Sequence, residues 1–127
     1  MNPQTILVVD DSKLVLGFHE RILKMAGFET RTTSHAEKAL EWLLDGGISA
    51  VMTDINMPGL DGKEFIKKIR QHPEFADIPI LVISTERSDK TRIDSLAAGA
   101  NLFLRKPIEP EEIIKSLRIL LNLEGDA

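Results

Sequence analysis

Short, unbroken apolar runs alternate with segments of helical periodicity along the 127-residue chain, and this alternation limits the folds open to it. Runs rich in β-branched residues are typical of strands buried on both faces. We predict strands at residues 6–9, 28–33, 50–52, 79–83 and 102–104. The second of these mixes polar and apolar residues, which favours an edge position. Strict alternation of strands and helices predicts a doubly wound α/β fold, with a parallel five-stranded sheet carrying five helices on its two faces.

Capping signals and apolar spacing place the five helices. Ser12, a capping box at Ser34 and Glu37, Asp61 and Glu109 are predicted to begin the first, second, third and fifth helices. A turn at Pro58 and Gly59 is predicted before the third helix, and Gly27, Gly46 and Gly99 are predicted stops. The predicted inward residues are Val15, Phe18, Ile22 and Met25; Ala39, Leu40, Leu43 and Leu44; Phe65, Ile66 and Ile69; Ile93, Leu96 and Ala97; and Ile113, Leu117, Leu120 and Leu121.

The composition excludes several classes of protein. The chain has no cysteine, so it holds no disulfide, thiol nucleophile or thiolate metal site. Its net charge of −4 offers no basic footprint for nucleic acid or an anionic membrane. No apolar run approaches the roughly 18–20 residues that span a bilayer. We therefore expect residues 1–127 to form one cytoplasmic domain without direct nucleic-acid or membrane binding.

Charged and hydroxyl side chains follow the buried strands, where open α/β sheets bind their ligands. They are Asp10 and Asp11, Asp54, Ser84 and Thr85, and Lys106. Three carboxylates at one edge repel each other, which predicts at least one raised pKa and favours a hard divalent cation such as Mg²⁺. A carboxylate can also attack phosphorus to form an aspartyl phosphate. A hydroxyl and an ammonium could then contact the phosphoryl oxygens.

This set of residues resembles the receiver domains of bacterial two-component response regulators, in particular the chemotaxis-regulator-like ones. Asp10 with Asp11, Asp54, Ser84 and Lys106 with Pro107 stand at the family's positions and spacings. Residues 57–62 and the pair Gly99 and Ala100 also match, so the resemblance covers essentially the whole chain. It implies the strand order 2-1-3-4-5.

The resemblance also implies a role for each matching residue. Asp54 would be the phospho-acceptor, and Mg²⁺ would be held by Asp10, Asp11, Asp54 and the backbone carbonyl of Asn56. The Ser84 hydroxyl would turn toward the phosphoryl group, and Lys106 would contact it. The Lys106–Pro107 bond would be cis. Phe103 stands at the family's aromatic switch position, although a plain core aromatic explains a phenylalanine there equally well.

The implied function is signalling by a phospho-acceptor domain, with only self-catalysed phosphoryl transfer and autodephosphorylation as chemistry. A sensor histidine kinase or histidine phosphotransfer protein would supply the phosphoryl group. A protein target would bind the face formed by the fourth helix, fifth strand and fifth helix. That face carries basic residues that are otherwise read as solvated: Lys90, Arg92, Arg105, Lys115 and Arg118. A stand-alone receiver and a part of a larger regulator both remain open.

Two further functions compete on the same fold. A phosphohydrolase with an aspartyl intermediate commonly has a second acid two residues after its nucleophile, but Asn56 and Ser12 stand at the corresponding positions. A flavin or nucleotide carrier would carry a glycine-rich phosphate loop or stacking aromatics, and the chain has no such loop and 5% aromatic residues. Both alternatives are therefore disfavoured.

A few residues have only local interpretations. His19, His35 and His72 lack metal-ligand spacing and are expected at the surface. Leu14 and Leu16 either widen the core stripe of the first helix or form an exposed docking edge. Glu109 is a weaker N-cap than aspartate, so the fifth helix is expected to begin without strong capping.

Overall fold

The computed structural model describes residues 3–57 and 61–123. The five predicted strands and five predicted helices are all found there. The elements are β1 (Thr5–Val9), α1 (Lys13–Met25), β2 (Glu29–Thr33), α2 (Ala36–Asp45), β3 (Ala50–Thr53), α3 (Gly62–Arg70), a 3₁₀ turn (Pro73–Phe75), β4 (Ile80–Ser84), α4 (Asp89–Ala98), β5 (Leu102–Arg105) and α5 (Pro110–Leu120). Strand boundaries fall within one residue of the predicted ones. The turn predicted at Pro58 and Gly59 lies outside the described residues.

All strand pairings are parallel, and the order across the sheet is β2-β1-β3-β4-β5. This confirms the predicted fold and the edge position of the second strand. β2 alternates exposed and partly buried side chains before its buried last residue, whereas β1, β3 and β4 are almost wholly buried. Among the described residues, no helix has the length and apolar character needed to cross a bilayer.

Each central strand sends alternate side chains to opposite faces, so the sheet separates two apolar clusters. Ile6 and Val8 pack with residues of α1 and α5 on one face. Leu7 and Val9 pack with residues of α2 and α3 on the other. The helices that follow the strands therefore cover both faces, as the alternation predicts.

The buried face of α1 differs from the predicted one. The structure buries Leu16, His19 and Leu23, while Phe18 is 50% exposed and Met25 is 81% exposed. The predicted and observed stripes are offset by about one residue, a rotation of about 100° that helical spacing alone does not resolve. The buried stripe includes the polar residue His19, so the apolar pattern of the sequence does not identify it. Leu16 therefore joins the core, and Leu14, which is 85% exposed, does not.

Helices α2 and α4 also differ from the predictions made for them. The capping box at Ser34 is wrong: His35 is the N-cap of α2, without a side-chain capping bond. Leu44 and Ile93 were expected in the core, but they are 57% and 55% exposed. In α4 only Ser95 is buried among the described side chains, so Leu96 and Ala97 do not face the core as predicted.

Other capping predictions are confirmed. Asp61 caps α3 through a side-chain bond from the backbone N–H of Lys63, and Ser12 caps α1 through Val15. Glu109 begins α5 without a side-chain capping bond, as its weaker capping preference suggested. The helices that lead away from the acidic edge of the sheet thus start at well-defined residues.

Gly62 brings the start of α3 against the segment that follows β3. Its N–H donates to the Ile55 carbonyl at 2.9 Å. A Cβ on Gly62 would lie 2.5 Å from Cα of Ile55, which is closer than van der Waals contact allows. Glycine at this position therefore permits the close approach that positions the residue next to Asp54.

We expect Gly62→Ala to lower the free energy of unfolding by about 1–3 kcal/mol, because the backbone must move to admit the methyl group. The matched control is Gly17→Ala in the middle of α1, where an added Cβ meets no atom of the described residues within 4 Å. That change should stabilise the protein by about 0.5–1 kcal/mol through helix propensity. Urea unfolding of both variants measures the difference; equal effects would contradict the close-packing argument.

Candidate functional site

Three carboxylates meet at the carboxyl edge of the sheet because β1 and β3 are parallel neighbours. Asp10 and Asp11 follow β1, and Asp54 follows β3. The N–H of Asp54 donates to the Val9 carbonyl at 3.0 Å. One carboxylate oxygen from each aspartate lies within 4.8 Å of the other two. The sequence prediction that these acids gather at one edge is confirmed.

Asp10 is the buried member of the cluster, with 3% of its surface exposed. Its Oδ1 accepts the N–H of Ser12 at 3.0 Å, and its Oδ2 lies 3.7 Å from Nζ of Lys106. Burial raises the pKa of Asp10; the Ser12 hydrogen bond and Lys106 oppose that rise, and Asp54 and Asp11 add smaller raising contributions. The predicted raised pKa is found, but its main cause is burial rather than mutual repulsion.

Asp54 is half-buried and is held by the backbone of the residues that follow it. Its Oδ1 accepts the N–H of Ile55 at 2.6 Å and the N–H of Asn56 at 3.2 Å. Within the part of the chain that the structure describes, its Oδ2 accepts no hydrogen bond. The carboxylate is therefore oriented by one oxygen, and the other is available to a ligand.

Ser84 and Lys106 reach the same edge through the pairing of β4 with β5. Ser84 is the last residue of β4 and is fully buried, and its carbonyl accepts the Lys106 N–H at 2.8 Å. Its hydroxyl accepts the N–H of Glu86 at 3.1 Å. The Glu86 carboxylate in turn accepts the Asn56 side-chain N–H at 3.3 Å. Thr85, also noted in the sequence, is exposed.

The lysine follows β5, and its peptide bond to Pro107 is cis, as the resemblance implied. The Lys106 side chain is 23% exposed and places its ammonium beside Asp10. The site thus combines three carboxylates with one ammonium and one buried hydroxyl. Carboxylate oxygens at this spacing are ligands that suit a hard divalent cation, so the cluster could bind a metal ion.

Phe103 lies in the core cluster on the face of the sheet that α2 and α3 cover, with 9% of its surface exposed. In this arrangement it is a core aromatic. The guanidinium of Arg105 lies 5.9 Å from its ring centroid. Its role as a switch stays a prediction.

His19 was expected at the surface, and this prediction is wrong: the residue is 5% exposed. Its Nδ1 has no hydrogen-bond partner within the described residues. With Lys106 and Pro107 it lines a cleft of about 310 Å³ between α1 and the segment that follows β5. Burial, and secondarily the charge of Lys106, lower the pKa of His19 to about 4. His35 is exposed and His72 is partly exposed.

Comparison with known proteins agrees with this geometry. Residues 6–118 match the response regulator receiver domain family. The transcriptional regulatory protein PrrA of Mycobacterium tuberculosis is 36% identical over 120 residues, which cover 94% of this chain and 51% of that protein. The two-component response regulator ARR7 of Arabidopsis thaliana is 29% identical over 132 residues, which cover 95% of this chain and 64% of that protein. The chain spans about half the length of the first of these relatives.

Solved structures show the same architecture. The chemotaxis response regulator CheY4 of Vibrio cholerae matches with a TM-score of 0.88 and 32% identity, covering 94% of this chain and 100% of that one. The receiver domain of the Francisella response regulator 1452 matches with a TM-score of 0.86 and 27% identity, covering 96% and 98%.

The strand order and the acidic edge therefore define a CheY-like fold of the flavodoxin type. The chain belongs to the response regulator receiver family and is a receiver domain of two-component systems. Such domains accept a phosphoryl group from histidine kinases on an aspartate, and they are signalling domains rather than classical enzymes.

The buried imidazole predicts a pH-dependent stability. Because the pKa of His19 is about 4 in the folded protein and 6.5 ordinarily, the unfolded chain binds the proton more tightly. The free energy of unfolding therefore decreases as the pH falls from 6.5 toward 4, because His19 is protonated in the unfolded chain before it is protonated in the folded protein. By the lower value the loss should reach about 3 kcal/mol.

Urea unfolding between these pH values measures the loss. His19→Gln keeps a neutral polar side chain and leaves every carboxylate in place, so its stability should fall less steeply with acid than that of the wild type. The same pH dependence in both proteins would contradict the burial argument.

Proposed function

We propose that Asp54 is the residue of this receiver that takes the phosphoryl group. The observation that carries the proposal is its carboxylate, with Oδ1 held by two backbone N–H groups and Oδ2 without a hydrogen bond from the described residues. A fixed oxygen orients the side chain, and the other oxygen can attack phosphorus. Asp10 is less suited, because it is buried and already contacts Lys106.

In the proposed reaction, Oδ2 of Asp54 forms a bond to phosphorus while the bond between phosphorus and the donor histidine nitrogen breaks. The electron pair of that bond stays with the imidazole nitrogen. Lys106 supplies positive charge at the edge where the phosphoryl oxygens arrive, and Ser84 offers them a hydroxyl donor. Later attack by water would return the carboxylate and release phosphate, which is the expected self-catalysed dephosphorylation.

Mg²⁺ fits the donor set of the cluster. We propose that Asp10, Asp11, Asp54 and the backbone carbonyl of Asn56 hold it. When bound, the ion neutralises charge on the carboxylates and on the phosphoryl oxygens. Its binding would also offset the cost of an ionised Asp10 in a buried position.

The expected result of incubating the protein with a small phosphodonor and Mg²⁺ is the gain of one phosphoryl group in the intact mass. Asp54→Ala should gain none, whereas Asp61→Ala, which removes a helix cap outside the cluster, should gain it as the wild type does. Equal labelling of the Asp54→Ala variant, or no labelling of the wild type, would refute the assignment.

We further propose that residues 1–127 act as one receiver unit whose target binds the face of α4, β5 and α5. Two apolar side chains of these helices are exposed: Ile93 of α4, which its spacing predicted inward, at 55%, and Ile119 of α5 at 50%. Arg105 of β5 is partly exposed, whereas Lys115 and Arg118 of α5, which were predicted on this face, line a groove between α1 and α5. Exposed apolar groups on α4 and α5, together with the cation of β5, favour a protein partner with apolar and acidic groups.

A phosphoryl mimic should therefore change this face and not the opposite edge. With beryllofluoride and Mg²⁺, we expect altered amide hydrogen exchange in the connection from β4 to α4, in α4 and in β5, and unaltered exchange in β2 and α2. Asp54→Ala should show none of these changes. Changes confined to α2 would contradict the proposed face.

A further inference from the structure

The guanidinium of Arg105 connects the end of β5 to the connection between β4 and α4. Its Nε donates to the carbonyl of Glu86 at 3.2 Å, and its Nη2 donates to Oδ1 of Asp89 at 2.9 Å. Asp89 is the first residue of α4. A single side chain thus holds both the connection and the beginning of the helix that it leads into.

Arg105 starts from a fixed position beside the functional site. It is the sheet partner of Ser84 in the pairing of β4 with β5, and Lys106 follows it. Its side chain is 30% exposed. The planar guanidinium can donate in two directions at once, which an ammonium on a lysine stem cannot match in geometry.

Glu86 links this guanidinium to Asp54, because its N–H, its carboxylate and its carbonyl each make a hydrogen bond. Its N–H donates to the hydroxyl of Ser84 at 3.1 Å, and its carboxylate accepts from Asn56 at 3.3 Å. Its carbonyl is the acceptor for Arg105. The backbone N–H of Asn56 donates to Oδ1 of Asp54. A continuous series of hydrogen bonds therefore runs from Asp54 to α4.

We propose that Arg105 is a positioning residue that holds Glu86, in the connection that leads into α4, in the resting arrangement, and so opposes the change that phosphorylation of Asp54 requires. This inference rests on the proposed function. In the resting arrangement the Ser84 hydroxyl accepts the Glu86 N–H. In the proposed phosphorylated arrangement the Ser84 side chain rotates so that its oxygen moves toward the phosphoryl group and away from the Glu86 N–H, which frees Glu86 to move.

Movement of Glu86 carries its carbonyl away from Arg105, so the guanidinium bonds stabilise only the resting state. A bond made in one state alone shifts the equilibrium toward that state. The ion pair with Asp89 contributes little, because Asp89 is 77% exposed. The charge-assisted bond to the Glu86 carbonyl carries most of the effect.

The test is the affinity for beryllofluoride in the presence of Mg²⁺, followed by NMR through the amide signals of Ser84 and Glu86. Arg105→Gln should bind the mimic about three- to tenfold more tightly than the wild type, because the resting state loses a charge-assisted bond. Its free form should also show these amide signals shifted toward their positions in the bound wild type. Arg105→Lys should restore part of the wild-type behaviour.

Asp89→Asn serves as the matched control, because it removes the exposed ion pair and leaves the bond to Glu86. It should change the affinity less than twofold, as expected for an exposed pair. Affinity equal to or weaker than that of the wild type in Arg105→Gln would overturn the proposal. So would an effect of Asp89→Asn as large as that of Arg105→Gln.

The outcomes separate the two proposals. If the wild type does not bind beryllofluoride, or if Asp54→Ala binds it equally well, the assignment of Asp54 fails. If binding depends on Asp54 and Arg105→Gln leaves it unchanged, only the positioning role fails. Circular dichroism and thermal unfolding of each variant show whether it is folded before the affinities are compared.

Discussion

The parallel pairing of β1, β3, β4 and β5 is the constraint on which the rest of this receiver depends. Parallel strands all end at the same edge, so residues that are far apart in the chain become neighbours there. The bond from the Asp54 N–H to the Val9 carbonyl extends the pairing of β1 with β3 to the acidic cluster. The bond from the Lys106 N–H to the Ser84 carbonyl does the same for β4 and β5. Backbone hydrogen bonds, rather than side-chain contacts, assemble the site.

The site contains ionisable side chains whose charged forms are disfavoured by burial. Burial raises the pKa of Asp10, so its ionised form is costly there, and the ammonium of Lys106 lies 3.7 Å from its Oδ2. Behind Lys106, the buried His19 has a pKa near 4, and its neutral state avoids a second positive charge. Arrangements of this kind favour function over maximal stability. The lysine therefore lies between a carboxylate that attracts it and a neutral imidazole.

Sequence reasoning succeeded where chemical type and periodicity carry the same information. The central strands are apolar on both faces and are followed by polar or charged residues, so their position could be predicted to within one residue. Phe65 and Ile69 were predicted inward in α3 and are fully buried. In α1 the prediction failed because more than one helical stripe is apolar. In α4 it failed because the residue that the structure buries is the polar Ser95. Which of two stripes is buried depends on the rotation of the helix against the sheet, and this is set by tertiary packing.

The sequence by itself determined the α/β alternation, the parallel sheet and the clustering of Asp10, Asp11 and Asp54, because strand ends in a parallel sheet meet regardless of side-chain detail. Tertiary structure alone decided which contacts those residues make. The burial of His19 and the two-way bonding of Arg105 depend on distances between elements far apart in the chain. Periodicity describes one element at a time, whereas such distances arise only when the elements pack together.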